Sequence, residues 1–245
     1  MSNVNNMFCM FRKSSFNGDI SKWDVHNVTD MSCMFEGCKN FNSSLENWDV
    51  SNVKFAFGMF RDCITFNQPL NKWNTSNMVE LFGIFKGCKI FNQPLDRWDV
   101  SNVKDMSKIF YNCSAFNQSL NGWNLSNAIN INDIFNGCTN FNQSLNDWDV
   151  SNVTTMSNVF NGCTNFNQPL NDWDVSNVKR MYAMFKNCIL FNQPLNKWNV
   201  SKVRNMHAMF YNCTSFNQQL DEWNMSNVID TKDMFYNCKS LTYKM

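Results

Sequence analysis

Tryptophan recurs in this chain with a fixed step. Trp23, Trp48, Trp73, Trp98, Trp123, Trp148, Trp173, Trp198 and Trp223 are each separated by 25 residues, and no tryptophan lies outside the series. Cysteine keeps the same step from Cys38 to Cys238, with only Cys9 and Cys33 off it. Two phenylalanine series run alongside, from Phe35 to Phe235 and from Phe41 to Phe216. An unbroken period of roughly 20–50 residues marks a stacked repeat architecture, in which one unit cannot bury its apolar face without its neighbours. The chain is thereby confined to a solenoid.

Composition agrees with an ordered chain, since 44% of the residues are hydrophobic and 15% aromatic. Asn is abundant, but it occupies fixed columns rather than runs, which argues for structural duties. Asn17, Asn42 and their equivalents to Asn217 form one such column directly after Phe. No linker or shift in composition interrupts the period. Residues 1–245 therefore read as a single repeat domain: a partial repeat over 1–15, nine repeats over 16–240 and a tail over 241–245.

Within the unit from Leu170 to Pro194, two periodicities follow one another. Leu170, Trp173 and Val175 alternate with Asp172 and Asp174, the pattern of a short strand with one buried face. From Val178 the apolar residues fall at helical spacing through Met181, Met184, Phe185 and Cys188, which predicts a helix of about two turns. Ser176-Asn177 offers an N-cap, and Asp30, Glu80, Asp105 and Asp230 stand three residues after their Asn as in a capping box. Before each regular Cys stands Gly, Asn or Asp, which predicts a left-handed residue closing the helix. Strands stack about 4.8 Å apart and helices about 8–10 Å apart, so such coils must curve with the strands on the concave face. The predicted fold is an α/β solenoid of strand–helix repeats.

The motif Phe-Asn-Gln-Pro-Leu-Asn-x-Trp-Asp-Val-Ser-Asn-Val-x-x-Met-x-x-Met-Phe-x-x-Cys, almost whole at 166–188, resembles the repeat of BspA-like leucine-rich-repeat surface proteins. More closely, it resembles the version found in mycoplasma lipoproteins, other bacteria, protists and large DNA viruses. The resemblance covers essentially the whole chain. It implies a leucine-rich-repeat-like solenoid and a role in adhesion or in binding host macromolecules, and it implies no catalytic residues. Surface members carry a signal peptide or a lipoprotein Cys near the start. Met1 to Phe11 shows no basic start and no long apolar run, so the chain reads either as intracellular or as a fragment of a cell-surface protein.

Twenty-one basic and 20 acidic residues leave a net charge of +1, which makes no surface for nucleic acid. No stretch is long and apolar enough to insert in a membrane. Eleven cysteines invite a disulfide reading, but they read better as a column of small buried thiols. They lack the pairing a zinc site needs, and the only histidines, His26 and His207, lie about seven repeats apart. Polar groups that recur every 25 residues are spread along the array instead of converging in a pocket, so no enzyme and no cofactor is expected.

The candidate binding residues are those that vary between repeats. The tryptophans, each with an apolar partner two residues on, read as core rather than as a carbohydrate platform. The residue after Trp would then face the concave side, with the residue before Trp beside it. That brings Asp147, Asp149, Asp172 and Asp174 together, with Arg97 and Asp99 further along the same columns. The carboxylates would repel one another unless a basic partner, or Ca²⁺ at Asp149 and Asp174, relieved them; a solvated acidic patch is the plainer reading. Phe55, Phe57 and Phe82 stand where other repeats carry polar residues, and make either a partner-binding apolar patch or packing between neighbouring units. The expected function is a binding solenoid for a protein or glycan. Its alternative is a self-assembling module pairing end to end into a homo-oligomer, because neither end carries a recognisable polar cap.

Overall fold

The structure, a computed structural model, describes residues 3–242. Each period forms one coil, and successive coils stack so that equivalent residues lie over one another. Among the described residues the backbone contains no helix and no extended strand. It is a succession of tight turns joined by isolated parallel bridges. The bridges link Asn6, Asp30, Phe55 and Glu80 in one line, and Asp105, Asn130, Thr155, Arg180, Asn205 and Asp230 in another.

The segment predicted as helix shows why. In the coil of Met156, the N–H groups of Met156, Asn158, Phe160 and Gly162 donate along the solenoid axis to Arg180, Tyr182, Met184 and Lys186 of the next coil, at 2.8–3.0 Å. The intervening N–H groups close turns within the coil, as Asn161 does to Asn158 (3.2 Å) and Cys163 to Phe160 (2.9 Å). A helix would use all of these donors internally and leave none for stacking. Spacing decides the matter. Equivalent Phe rings in neighbouring coils are nearly parallel with centroids 5.7 Å apart for Phe60–Phe85 and Phe110–Phe135, so the coil-to-coil step is well below the roughly 8–10 Å that packed helices need. The apolar spacing that reads as a helix face is met equally by consecutive turns.

Two left-handed residues per coil make those turns. One column is the residue before Cys, with Gly162 at φ 77° and Asn187 at φ 62°. The other lies four residues earlier and includes Cys33, Lys108, Asn158 and Ala183, at φ 49–60°. The predicted strand is also replaced. Trp148, Asp149 and Val150 take part in no bridge; Trp148 N–H instead bonds Leu145 (3.1 Å) and Val153 N–H bonds Val150 (2.9 Å). The bridging residues lie just beyond, at positions such as Thr155.

One apolar cluster runs from Met7 to Met234. Its polar atoms are satisfied from coil to coil. Trp148 Nε1 donates to the Leu120 carbonyl (3.2 Å) and Trp173 Nε1 to Leu145 (2.9 Å). Cys138 Sγ reaches the Phe110 carbonyl at 2.9 Å and Cys163 Sγ the Phe135 carbonyl at 3.0 Å. Asn142 N–H donates to the Asn117 side chain and Asn167 N–H to Asn142, both at 2.9 Å. A second Asn ladder replaces the predicted N-cap: Asn152 Nδ2 donates to Ser126 of the preceding coil (2.7 Å), and Asn177 Nδ2 to Ser151 (2.8 Å).

The stack has two irregularities. Its first coil is one residue short, so Met7 pairs with Asp30 across 23 positions where Met31 pairs with Phe55 across 24. Among the described residues no bridge joins Glu80 to Asp105. Glu80 and Asp105 are the only two acids that occupy equivalent positions on adjacent coils of this line, a like-charge placement that disfavours pairing. In the same coil buried Thr75 replaces the usual Val and donates its hydroxyl to the Asp99 carbonyl (2.9 Å).

Candidate functional site

The variable residues flanking each Trp are set by the turn that carries them. Asp149 and Asp174 are exposed, yet each accepts the backbone N–H two residues on, from Ser151 (3.0 Å) and Ser176 (2.9 Å). Asp99 does the same with Ser101 at 2.9 Å, and so do Asn124 with Ser126 at 3.0 Å and Asn199 with Ser201 at 3.1 Å. This column therefore closes its own turn, and Asp and Asn serve alike. Hydrogen bonds from Ser176 hold the Asp174 carboxyl below the usual carboxylate range, and Ser51 does the same for Asp49.

The residues before Trp have more freedom. Asp147 and Asp172 are exposed and one coil apart. Asp172 pairs with Lys197 of the next coil at 2.8 Å, with the two side chains 71% and 64% exposed, a contact worth at most about 1 kcal/mol. The acidic group at Asp147, Asp149, Asp172 and Asp174 thus occupies two adjacent coils and is partly neutralised from a third. Arg97 and Asp99 stand apart from it, with the coil of Gly122 and Asn124 between. Among the described residues, no three His, Cys, Asp or Glu side chains gather to hold a metal, Asp149 and Asp174 included.

Phe57 and Phe82 meet on adjacent coils with ring centroids 6.3 Å apart, and Lys108 Nζ lies 5.6 Å over the Phe82 ring. Phe55 is 40% exposed in the bridging line between Asp30 and Glu80. Sequence reading missed Lys108, because its column carries Gly at Gly58 and Gly83.

All eleven cysteines are free. Burial pushes the Cys33 thiol up to about 12, with Glu36 adding to it, and burial raises Cys238 to about 11. Burial raises the column from Cys63 to Cys213 further, so these thiols are not nucleophiles at neutral pH. Sequence reading also missed a basic group, Lys179, Arg180, Lys202 and Arg204, which lines an open cavity of about 790 Å³. Its signal is Lys202, the one residue other than Asn in the column from Asn27 to Asn227.

Among the described residues no helix is long and apolar enough to cross a membrane. No curated protein matches the chain. Solved structures give weak likenesses. A leucine-rich cell surface protein from Faecalibacterium prausnitzii shares 13% identity at TM-score 0.37, over 89% of this chain and 76% of that one. A leucine-rich repeat protein from Bacteroides ovatus shares 14% at TM-score 0.29, over 87% and 69%. An internalin from Listeria monocytogenes shares 8% at TM-score 0.27, over 87% and 69%. With scores this low, the fold rests on the chain's own hydrogen-bond pattern. The sequence itself is matched over residues 1–83, 56–148 and 130–245 by one family, and the chain belongs to it: the mycoplasma proteins of unknown function designated DUF285.

Proposed function

We propose that this chain is a non-enzymatic, leucine-rich-repeat-like binding solenoid that recognises a protein or glycan through the face carrying the residues on either side of each Trp. The observation that carries the reading is the contrast inside that face. The column after Trp is tied into its own turns, whereas Asp147 is exposed and Asp172 has only a solvent-screened partner. Two such acids on neighbouring coils favour a basic segment of a protein over a neutral glycan. Phe57, Phe82 and Lys108 supply a second, apolar contact on other coils of the same array.

The test is binding of the isolated chain to basic peptides and to an array of neutral and acidic glycans, with Asp147→Lys/Asp172→Lys beside the unaltered chain. Charge reversal at the two exposed acids should weaken capture of a basic peptide by at least about tenfold. Equal binding by both proteins removes the acidic face from the reading.

A further inference from the structure

In one column of this solenoid positive charge stacks on adjacent coils at a single place. In the column from Thr29 to Ile229 the residues are Thr, Lys, Val, Lys, Ile, Thr, Lys, Arg and Ile. Lys54 and Lys104 each have uncharged neighbours above and below. Lys179 and Arg204 are the exception: they occupy adjacent coils, joined by the Arg204 N–H bond to the Lys179 carbonyl at 3.0 Å. Arg180 follows Lys179, and Lys202 precedes Arg204 by two residues, so four exposed cations face one cavity together with Asn205 and Ile229.

Lys202 stands there at a structural cost. Its column is otherwise Asn, and from Asn52 onward each Asn gives its amide to a carbonyl of the preceding coil, as Asn177 does to Ser151 (2.8 Å) and Asn227 to Ser201 (2.7 Å). At Lys202 the corresponding amide to Ser176 is lost, and Lys202 Nζ bonds the Asn177 side chain instead, at 2.7 Å. Nearby carboxylates offset the group only in part: after the hydrogen bonds from Ser176, Lys202 helps to hold the Asp174 carboxyl down, but neither Asp174 nor Asp230 pairs directly with a cation of the group. Asp174 is held by Ser176, and Asp230 by the Lys232 N–H and the Asn205 side chain, with His207 at 3.7 Å. Among the described residues, none of the four cations forms an ion pair.

We infer that Lys179, Arg180, Lys202 and Arg204 form a site for a compact, multiply charged oxyanion of phosphate or sulfate chemistry. Two guanidinium forks give paired hydrogen bonds to tetrahedral oxyanions, and the two ammonium groups add point charge. The cluster spans two coils, which fits one or two such groups and not an extended polyanion. The site shares no residue with the acidic face proposed above and does not depend on it.

Calorimetric titration at low ionic strength tests it, with inorganic pyrophosphate in one arm and a fully sulfated disaccharide in the other. One saturable site is expected in at least one arm, and the tighter arm identifies the source. Lys202→Asn restores the ladder, so this variant should unfold at or above the wild-type urea midpoint while binding about tenfold more weakly, the effect of losing one charge-assisted hydrogen bond. Arg204→Thr, which borrows the residue of an equivalent coil, should weaken binding at least as much. Lys104→Thr, a lone cation in the same column, should leave binding unchanged. Absence of saturable binding in both arms overturns the inference. So does wild-type affinity in Lys202→Asn and Arg204→Thr, or an equal loss in Lys104→Thr.

Discussion

Asn152 and Asp149 sit three residues apart in one coil and are nearly the same size, but the stack treats them differently. Asn152 sends its amide N–H across to the Ser126 carbonyl of the preceding coil (2.7 Å), a bond that a carboxylate cannot make. Asp149 only accepts, from the Ser151 N–H of its own turn (3.0 Å), a task that Asp and Asn share. The first column is Asn in every coil but one; the second mixes Asp and Asn freely. Bonds between coils therefore dictate residue identity, and bonds within a coil dictate only residue class. Trp and Cys follow the first rule, since Trp123 Nε1 and Cys138 Sγ also donate to carbonyls one coil back.

The largest effect that could break this division lies at the tryptophans. Trp123→Ala should cost about 3–5 kcal/mol, from lost burial and the cavity left behind. Trp123→Phe keeps most of the burial but leaves the Leu95 carbonyl with the Trp98 N–H alone (3.1 Å), without the indole Nε1 now 2.9 Å away, and should cost about 0.5–1.5 kcal/mol. Urea unfolding of both variants measures the difference. If Trp123→Phe proves as stable as the natural chain, the indole bond is incidental and the column is held by apolar fit alone.

A sharper comparison uses one chemical change in two places. Asn152→Asp removes the donor and leaves a carboxylate facing the Ser126 carbonyl, so about 1–3 kcal/mol should be lost. The reverse exchange, Asp149→Asn, should stay within about 0.5 kcal/mol. Equal effects of the two substitutions on the urea midpoint would mean that bonds between coils hold no privileged place in stability.

The same distinction explains what could be read in advance. The 25-residue period, the apolar columns and the left-handed position before Cys are all visible as invariance. The backbone path between them is not. Met181, Met184, Phe185 and Cys188 satisfy helical spacing, and nothing in the residue types says that alternate N–H groups leave the coil. The second left-handed column is hidden for a related reason: it holds Cys33, Lys108 and Ala183, residues that rarely adopt positive φ and do so here because the stack fixes them. Of the candidate site, the acidic residues were visible as a column, but their unequal ties were not. Asp174 and Asp172 look alike in sequence and differ only in whether Ser176 or Lys197 is the partner. The basic group was legible only by asking which coil breaks the Asn rule at Lys202.

The smallest expected effect follows from the turn-closing carboxylates. Asp49 and Asp174 are held below the usual carboxylate range by hydrogen bonds from Ser51 and Ser176. A carboxyl whose folded pKa is depressed contributes stability that is complete above its unfolded value, about 3.9, and is lost as pH falls through the lower folded value. Asn at the same positions accepts the same N–H but does not titrate. Asp49→Asn/Asp174→Asn should therefore match the natural chain closely at pH 7 and lose less stability on acidification below about pH 4, where the carboxylates give up their protonation-dependent share. Urea midpoints across that range measure the slope. Parallel slopes for the two proteins would show that these acids are bound no more tightly than solvent-exposed ones, and the column after Trp would then be as free to meet a partner as the column before it.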